Sequence, residues 1–176
     1  MKKYSIIMEI WNINKGDAMA ITEIELQGLV GKSISQICNN NFSSPGQNHC
    51  AHFVSHALGL QLGMLCGDMA FKTRKTGASI RCDELYNKLA HTGPWESRPT
   101  QADGLLIFLL SASNVRNDLM MNVPQKHGGI HYNGKVFNFS NSRHKVVVDA
   151  SVDAFHDKFK QTYDGDDISL FFGVVP

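Results

Sequence analysis

The sequence predicts an α+β domain, with helices gathered in the first half of the chain and a central, mostly antiparallel sheet built from the second. Three observations carry this. The stretch HCAHFVSHALGLQLG places Ala51, Val54, Ala57 and Leu58 at helical spacing and runs into Gly59 and Gly63, either of which can end a helix. GLLIFLLS is an unbroken apolar run, as expected of a strand buried in the middle of a sheet. HGGIHY and KVFNFS are joined by Asn133-Gly134, the pair that best tolerates the positive φ angles of a two-residue hairpin turn. A chain of 176 residues suits one domain, 1–176, and is long enough to bury a core without disulfide or metal staples.

Taken in order, MKKYSIIMEIWNINKGD begins like a secretory signal, but Glu9 interrupts its short apolar run and no small-residue cleavage site follows, so it reads as the start of the folded protein. AMAITEIELQGLVGKSISQICNN carries one or two short helices. NNNFSSPGQN is a loop by its Asn, Ser, Pro and Gly content. Asn48 then caps the helix that opens at Cys50. A loop follows through DMAFKTRKTGAS, then a helix over RCDELYNKLAH and a turn at Gly93-Pro94. After the central strand, NVRNDLMMNVPQ is a polar, methionine-containing loop. Beyond the hairpin, VDAFHDKFKQTY is a short amphipathic helix and ISLFFGVVP a closing strand.

Composition narrows the function. The net charge is +1, so there is no basic excess to drive nucleic-acid binding by counterion release. No apolar stretch approaches the ~18 residues that a membrane span needs. The four cysteines, Cys38, Cys50, Cys66 and Cys82, form no CxxC pair. With Cys50 set aside as reactive, the odd remainder argues against a disulfide framework and for a reducing compartment. His52 and His56 stand at a zinc-binding spacing, but Phe53 occupies the place of a metalloprotease glutamate. The sequence therefore predicts no metal and no cofactor, with Cys38, Cys66 and Cys82 as structural thiols.

Cys50 is the residue that points to chemistry. A thiol is a nucleophile only as thiolate, and the first turn of a helix favours the thiolate through its dipole and free N–H groups. The backbone N–H of Cys50 also offers half of an oxyanion hole. A thiol nucleophile needs a base, and the base needs a polar partner to fix its tautomer. His127 starts the first hairpin strand. The two-residue turn sets Tyr132 against Lys135, so His127 falls near Phe139 or Ser140 and shares a face with Asn138. His131, four positions on along the same strand, is the rival base. Gln47 and His49, just before the nucleophile, are candidates for the oxyanion site and the cleft mouth. The plainer alternative makes Cys50 a small buried hydrophobe.

Three pieces of the chain together resemble the NlpC-type and CHAP-type cysteine peptidases and amidases. NHCAHFVSHALG resembles their nucleophile segment, RPTQADGLLIFLL their central strand with Asp103-Gly104 in inverted order, and KHGGIHYNGKVFNFS their histidine hairpin. Gly128 stands where the family usually has valine, and the loop over residues 111–126 is longer than in small members. The resemblance implies a papain-like fold with Cys50 as nucleophile, His127 as base, Asn138 as the orienting residue and a glutamine, here Gln47, on the oxyanion. It implies hydrolysis of an amide in peptidoglycan stem peptides through a thioester. Some relatives are antibacterial effectors, made in the cytoplasm without a signal peptide and exported to the periplasm of a target cell. For such a toxin an immunity protein that plugs the cleft is expected. Two alternatives keep the same residues: an acyltransferase or deamidase acting on a protein or lipid, and a binding module without catalysis.

Overall fold

The computed structural model describes residues 21–70, 76–163 and 167–176. The opening segment read above as the start of the folded protein lies outside the described residues, as does part of the loop before Arg81. Among the described residues there are five α-helices: α1 (Glu23–Leu29), α2 (Cys50–Leu58), α3 (Cys66–Ala70), α4 (Cys82–Lys88) and α5 (Val152–Tyr163). The strands are β1 (His91–Pro94), β2 (Leu106–Ser111), β3 (Val115–Arg116), β4 (Leu119–Met120), β5 (Lys126–Tyr132), β6 (Lys135–Ser140), β7 (Lys145–Asp149) and β8 (Ile168–Val174). Six of them form one antiparallel sheet in the order β1-β8-β2-β5-β6-β7, so the chain is α+β as the sequence predicts.

Local chemistry sets the helix ends. Thr22 and Glu25 close a reciprocal capping box at the start of α1. Gly59 ends α2 in the left-handed conformation, φ 67°, which glycine adopts without a Cβ clash. The hairpin turn at Asn133 and Gly134 has φ of 49° and 75°, and it sets Tyr132 opposite Lys135.

Both sheet faces are covered, which accounts for the unbroken apolar run of β2. Leu106, Phe108, Leu110, Ile130, Phe137 and Phe139 pack with Phe53 and Val54 of α2 and with Leu85 and Tyr86 of α4. Ile107, Leu109, Val136 and Phe172 face the other way, against Phe155 and Phe159 of α5. Burial of each large side chain contributes about 1.5–3 kcal/mol.

Three sequence expectations need correction. Gly93-Pro94 is not a turn but part of β1, an edge strand, where the missing proline N–H costs no ladder bond. The helix expected to reach His91 stops at Lys88, because Leu89 turns extended (ψ 142°) and His91 already pairs with Val174. The loop over 111–126 contains the small β3–β4 hairpin, turned by Asn117 and Asp118 at φ 50° and 61°.

Candidate active site

The start of α2 is tied down from two sides. The His49 backbone N–H donates to Asn141 Oδ1 at 3.2 Å, joining the helix start to the turn between β6 and β7. Asn48 Oδ1 accepts from the Cys50 N–H at 2.9 Å. His49, not Asn48, holds the N-cap position, since its φ of −106° and ψ of 14° lie outside the helix while α2 begins at Cys50. Asn48 still caps with its side chain, and that engages the N–H which the sequence offered to an oxyanion.

Cys50 itself is buried, with its Sγ 3.2 Å from Sγ of Cys82, the first residue of α4. The Cys50 thiol is pulled well below its ordinary value. The hydrogen bond with Cys82 is the largest cause; it outweighs burial, and the charge and hydrogen bonding of His127 and the Gly128 backbone N–H add to it. Cys82 is pushed the opposite way, first by its bond to Cys50 and then by burial. The two sulfurs titrate as a pair, and the direction for Cys50 is toward the thiolate. Gly128 leaves room for this arrangement: a Cβ there would stand 3.3 Å from the Cys82 sulfur and 3.5 Å from the Phe108 ring.

Behind His127 runs a line of hydrogen bonds whose directions can be worked out. The Asp149 carboxylate can only accept, so the Asn138 amide nitrogen faces it, at 2.8 Å. Asn138 then turns Oδ1 toward Nε2 of His127, at 3.2 Å, and this nitrogen must carry the proton. Nδ1 is left as the nitrogen that can exchange a proton with a thiol. Lys158 on α5 pairs with Asp149, and Phe159 one residue later stacks on the imidazole, ring centroids 4.3 Å apart. The register is the reason these residues meet. Gly129 pairs with Asn138, and His127 lies two residues before Gly129 on the same face.

The structure thus brings together Cys50, His127 and Asn138. It places the other candidates elsewhere. His131 is on the His127 face but donates from Nδ1 to the Ala102 carbonyl, 2.8 Å away, with its ring edge-on to Trp95. His49 is buried, bonded through Nε2 to the Ser44 carbonyl and through Nδ1 to His52. Gln47 is half-buried in the turn before α2 and does not line the cleft at Cys50. That cleft holds about 370 Å³ and is lined by Asn48, Cys50 and Cys82 with Arg81, Asp83 and Lys126 around them. Lys126 and Asp83 form an ion pair at 3.4 Å.

Sequence reasoning missed Cys82, Asp149, Lys158 and Phe159. Asp149 reads as a cap or surface charge because nothing local to VVVDA marks it as the residue opposite Val136 at the end of β7. Cys82 offers one available signal, a cysteine at the predicted start of a second helix, matching the position of Cys50. The expectation of no metal rested on absent CxxC and HExxH motifs. The fold nonetheless gathers Cys38, His52, His56 and Cys66, with their ligand atoms all within 4.8 Å of one another. Burial holds His52 down to about 3 and lowers His49 and His56 as well, so these rings stay neutral.

Among the described residues no helix is long and apolar enough to cross a membrane. No protein family, curated protein or solved structure matches this chain.

Proposed function

We propose that the protein is a papain-like cysteine hydrolase that cleaves an amide bond, with peptidoglycan stem peptides as its substrate. One observation carries the reaction class: a cysteine at the start of α2, its thiol held below the ordinary value, beside an imidazole whose far nitrogen is fixed by Asn138. The substrate rests on the resemblance to NlpC-type and CHAP-type enzymes. The charged lining of the cleft, Arg81, Asp83 and Lys126, supports a polar peptide over a lipid acyl chain.

In this reading the Cys50 thiolate attacks the carbonyl carbon of the scissile amide. The carbonyl oxygen displaces the Asn48 side chain from the Cys50 N–H and takes that donor. The proton that Nδ1 of His127 has taken from the Cys50 thiol passes to the leaving nitrogen as the C–N bond breaks, and a thioester remains on Cys50. His127 then takes a proton from water, whose oxygen attacks the thioester and releases the acid. Asn138 holds Nε2–H through both halves, so the ring presents the same nitrogen to thiol, amine and water.

The test is incubation of purified sacculi with wild-type protein and with Cys50→Ala, followed by mass spectrometry of the soluble muropeptides. Cleaved stem peptides that disappear in the variant support the reading and name the bond. An intact sacculus, with Cys50 alkylating no faster than a free thiol, overturns it.

A further inference from the structure

Outside the Cys50 cleft lies a second cluster of reactive side chains. His52 and His56 stand one turn apart on α2, Cys66 opens α3, and Cys38 follows the 3-10 turn Ile34–Gln36. The two sulfurs are 3.7 Å apart, and Nε2 of His56 is 3.9 Å from the Cys66 sulfur. A tetrahedral zinc with its usual bond lengths sets sulfurs about 3.8 Å apart and a sulfur about 3.6 Å from a nitrogen. These two separations match those values to within a few tenths of an ångström, and all four ligand atoms lie within 4.8 Å of one another.

The hydrogen bonds around the cluster fix the tautomers of His49 and His52. The Ser44 carbonyl can only accept, so Nε2 of His49 carries that ring's proton, across 2.9 Å. Nδ1 of a neutral His49 is then an acceptor, and Nδ1 of His52, 3.2 Å away, must be the donor. This leaves Nε2 of His52 with a bare lone pair. That atom is fully buried and meets no hydrogen-bond partner. A buried polar atom without a partner costs about 1–3 kcal/mol, and a metal ion removes that cost. The Ser44–His49–His52 relay is also the kind of support that fixes the tautomer of a metal-bound histidine.

The sulfurs sit among hydrogen-bond donors. Cys66 accepts from the Ala78 backbone N–H and from the Asn40 side-chain amide, both at 3.2 Å, and Cys38 accepts from the Asn40 N–H at 3.4 Å. Burial nonetheless pushes the Cys38 thiol up to about 11, so a metal ion must displace its proton on binding. Gly77 permits the close approach: at φ 103°, a Cβ there would lie 2.3 Å from the Cys66 sulfur.

We propose that Cys38, His52, His56 and Cys66 form a structural zinc site that clamps the helix carrying Cys50 to the loops on either side of it. Two thiols lose their protons to solvent on binding, and two thiolates, two neutral imidazoles and one divalent ion make a centre without net charge. Such a centre tolerates burial, whereas an unpaired charge does not. The mixed sulfur and nitrogen set selects zinc over calcium or magnesium.

The inference is independent of the substrate of Cys50, and its test does not use activity. Reduced full-length protein purified from zinc-supplemented culture is analysed for metal content, then stripped and reloaded with cobalt(II) as a spectroscopic probe. The expected result is about one zinc per chain and, with cobalt, tetrahedral ligand-field bands together with sulfur-to-metal charge transfer. His56→Gln lowers zinc content at least about tenfold, whereas His56→Cys, which still offers a ligand, retains it. Cys50→Ala and Cys82→Ala keep the metal, which separates this site from the thiol pair in the cleft. Less than about a tenth of an equivalent in the wild type, with no cobalt spectrum, overturns the proposal. So does zinc that leaves with Cys50 or Cys82, or a Cys38–Cys66 disulfide in the metal-free protein.

Discussion

Replacing Asn138 with alanine tests whether the hydrogen-bonded line behind His127 serves the thiol or only the core. Asn138 is fully buried and makes two strong contacts, accepting from Nε2 of His127 at 3.2 Å and donating to Asp149 at 2.8 Å. When His127 takes a proton, its bond to Oδ1 becomes charge-assisted, worth about 1.5–3 kcal/mol. Losing that bond only when the imidazolium forms predicts a fall of about 10- to 100-fold in the rate of muropeptide release at low substrate. The same change strands a buried Nε2–H and costs about 1–3 kcal/mol of stability, readable in urea unfolding. Asn138→Asp makes the contrast sharper. A carboxylate there faces Asp149 at hydrogen-bond distance, so one of the two must bind a proton. A carboxyl with a raised folded-state pKa contributes stability at low pH and loses it as pH rises. Asn138→Asp is therefore closest to wild type in stability under mild acid and falls away toward neutrality. If Asn138→Ala releases muropeptides at the wild-type rate while its urea midpoint drops, the line is structural and its catalytic assignment is wrong.

Two further predictions concern the thiol pair. The thiolate is the alkylating form, and Cys50 is held below its ordinary value. Iodoacetamide should therefore label Cys50 with a midpoint well under the usual thiol value of about 8.5, and His127→Ala or Cys82→Ala should each move that midpoint up. A wild-type midpoint in the ordinary range would remove the argument for Cys50 as thiolate. Gly128→Val drives carbon atoms into the Cys82 sulfur, so it should cost about 1–3 kcal/mol. Adding Cys82→Ala should recover at least about 1 kcal/mol of this in a double-mutant cycle, and additive effects would mean that Gly128 is there for another reason.

The sheet was legible wherever one short signal sufficed. Asn133-Gly134 sets the β5–β6 register by turn chemistry alone, and that register is what puts Asn138 on the face of His127. The helix at Cys50 follows from its apolar spacing and from Gly59. What stayed hidden depends on contacts between residues far apart in the chain. Pro94 looks like a turn residue until β8 arrives beside it at the sheet edge. Asp149 looks like a surface charge until β7 lies against β6 and Lys158 comes down from α5. Local pattern carries no trace of either, because each residue obtains its role from a partner placed by the whole topology.

The same distinction explains why the cysteines were the hardest residues to read. Spacing rules for metal and redox cysteines describe ligands on one turn or knuckle, and here each sulfur finds its partner across a gap of 28 or 32 residues. Both pairs converge on α2. Cys50 at its first position meets Cys82, and His52 and His56, on the next turn and the one after, meet Cys38 and Cys66. A nine-residue helix is too short to be stable on its own. Its position depends on what grips it, and a thiolate that must meet His127 to within a fraction of an ångström needs a firm grip. On this argument the zinc cluster and the thiol pair are two ends of one requirement. Loosening the cluster with His56→Gln should raise the labelling midpoint of Cys50 although His56 touches neither Cys50 nor His127. An unchanged midpoint in metal-free protein would show that packing against β5 and β6 alone holds the nucleophile in place.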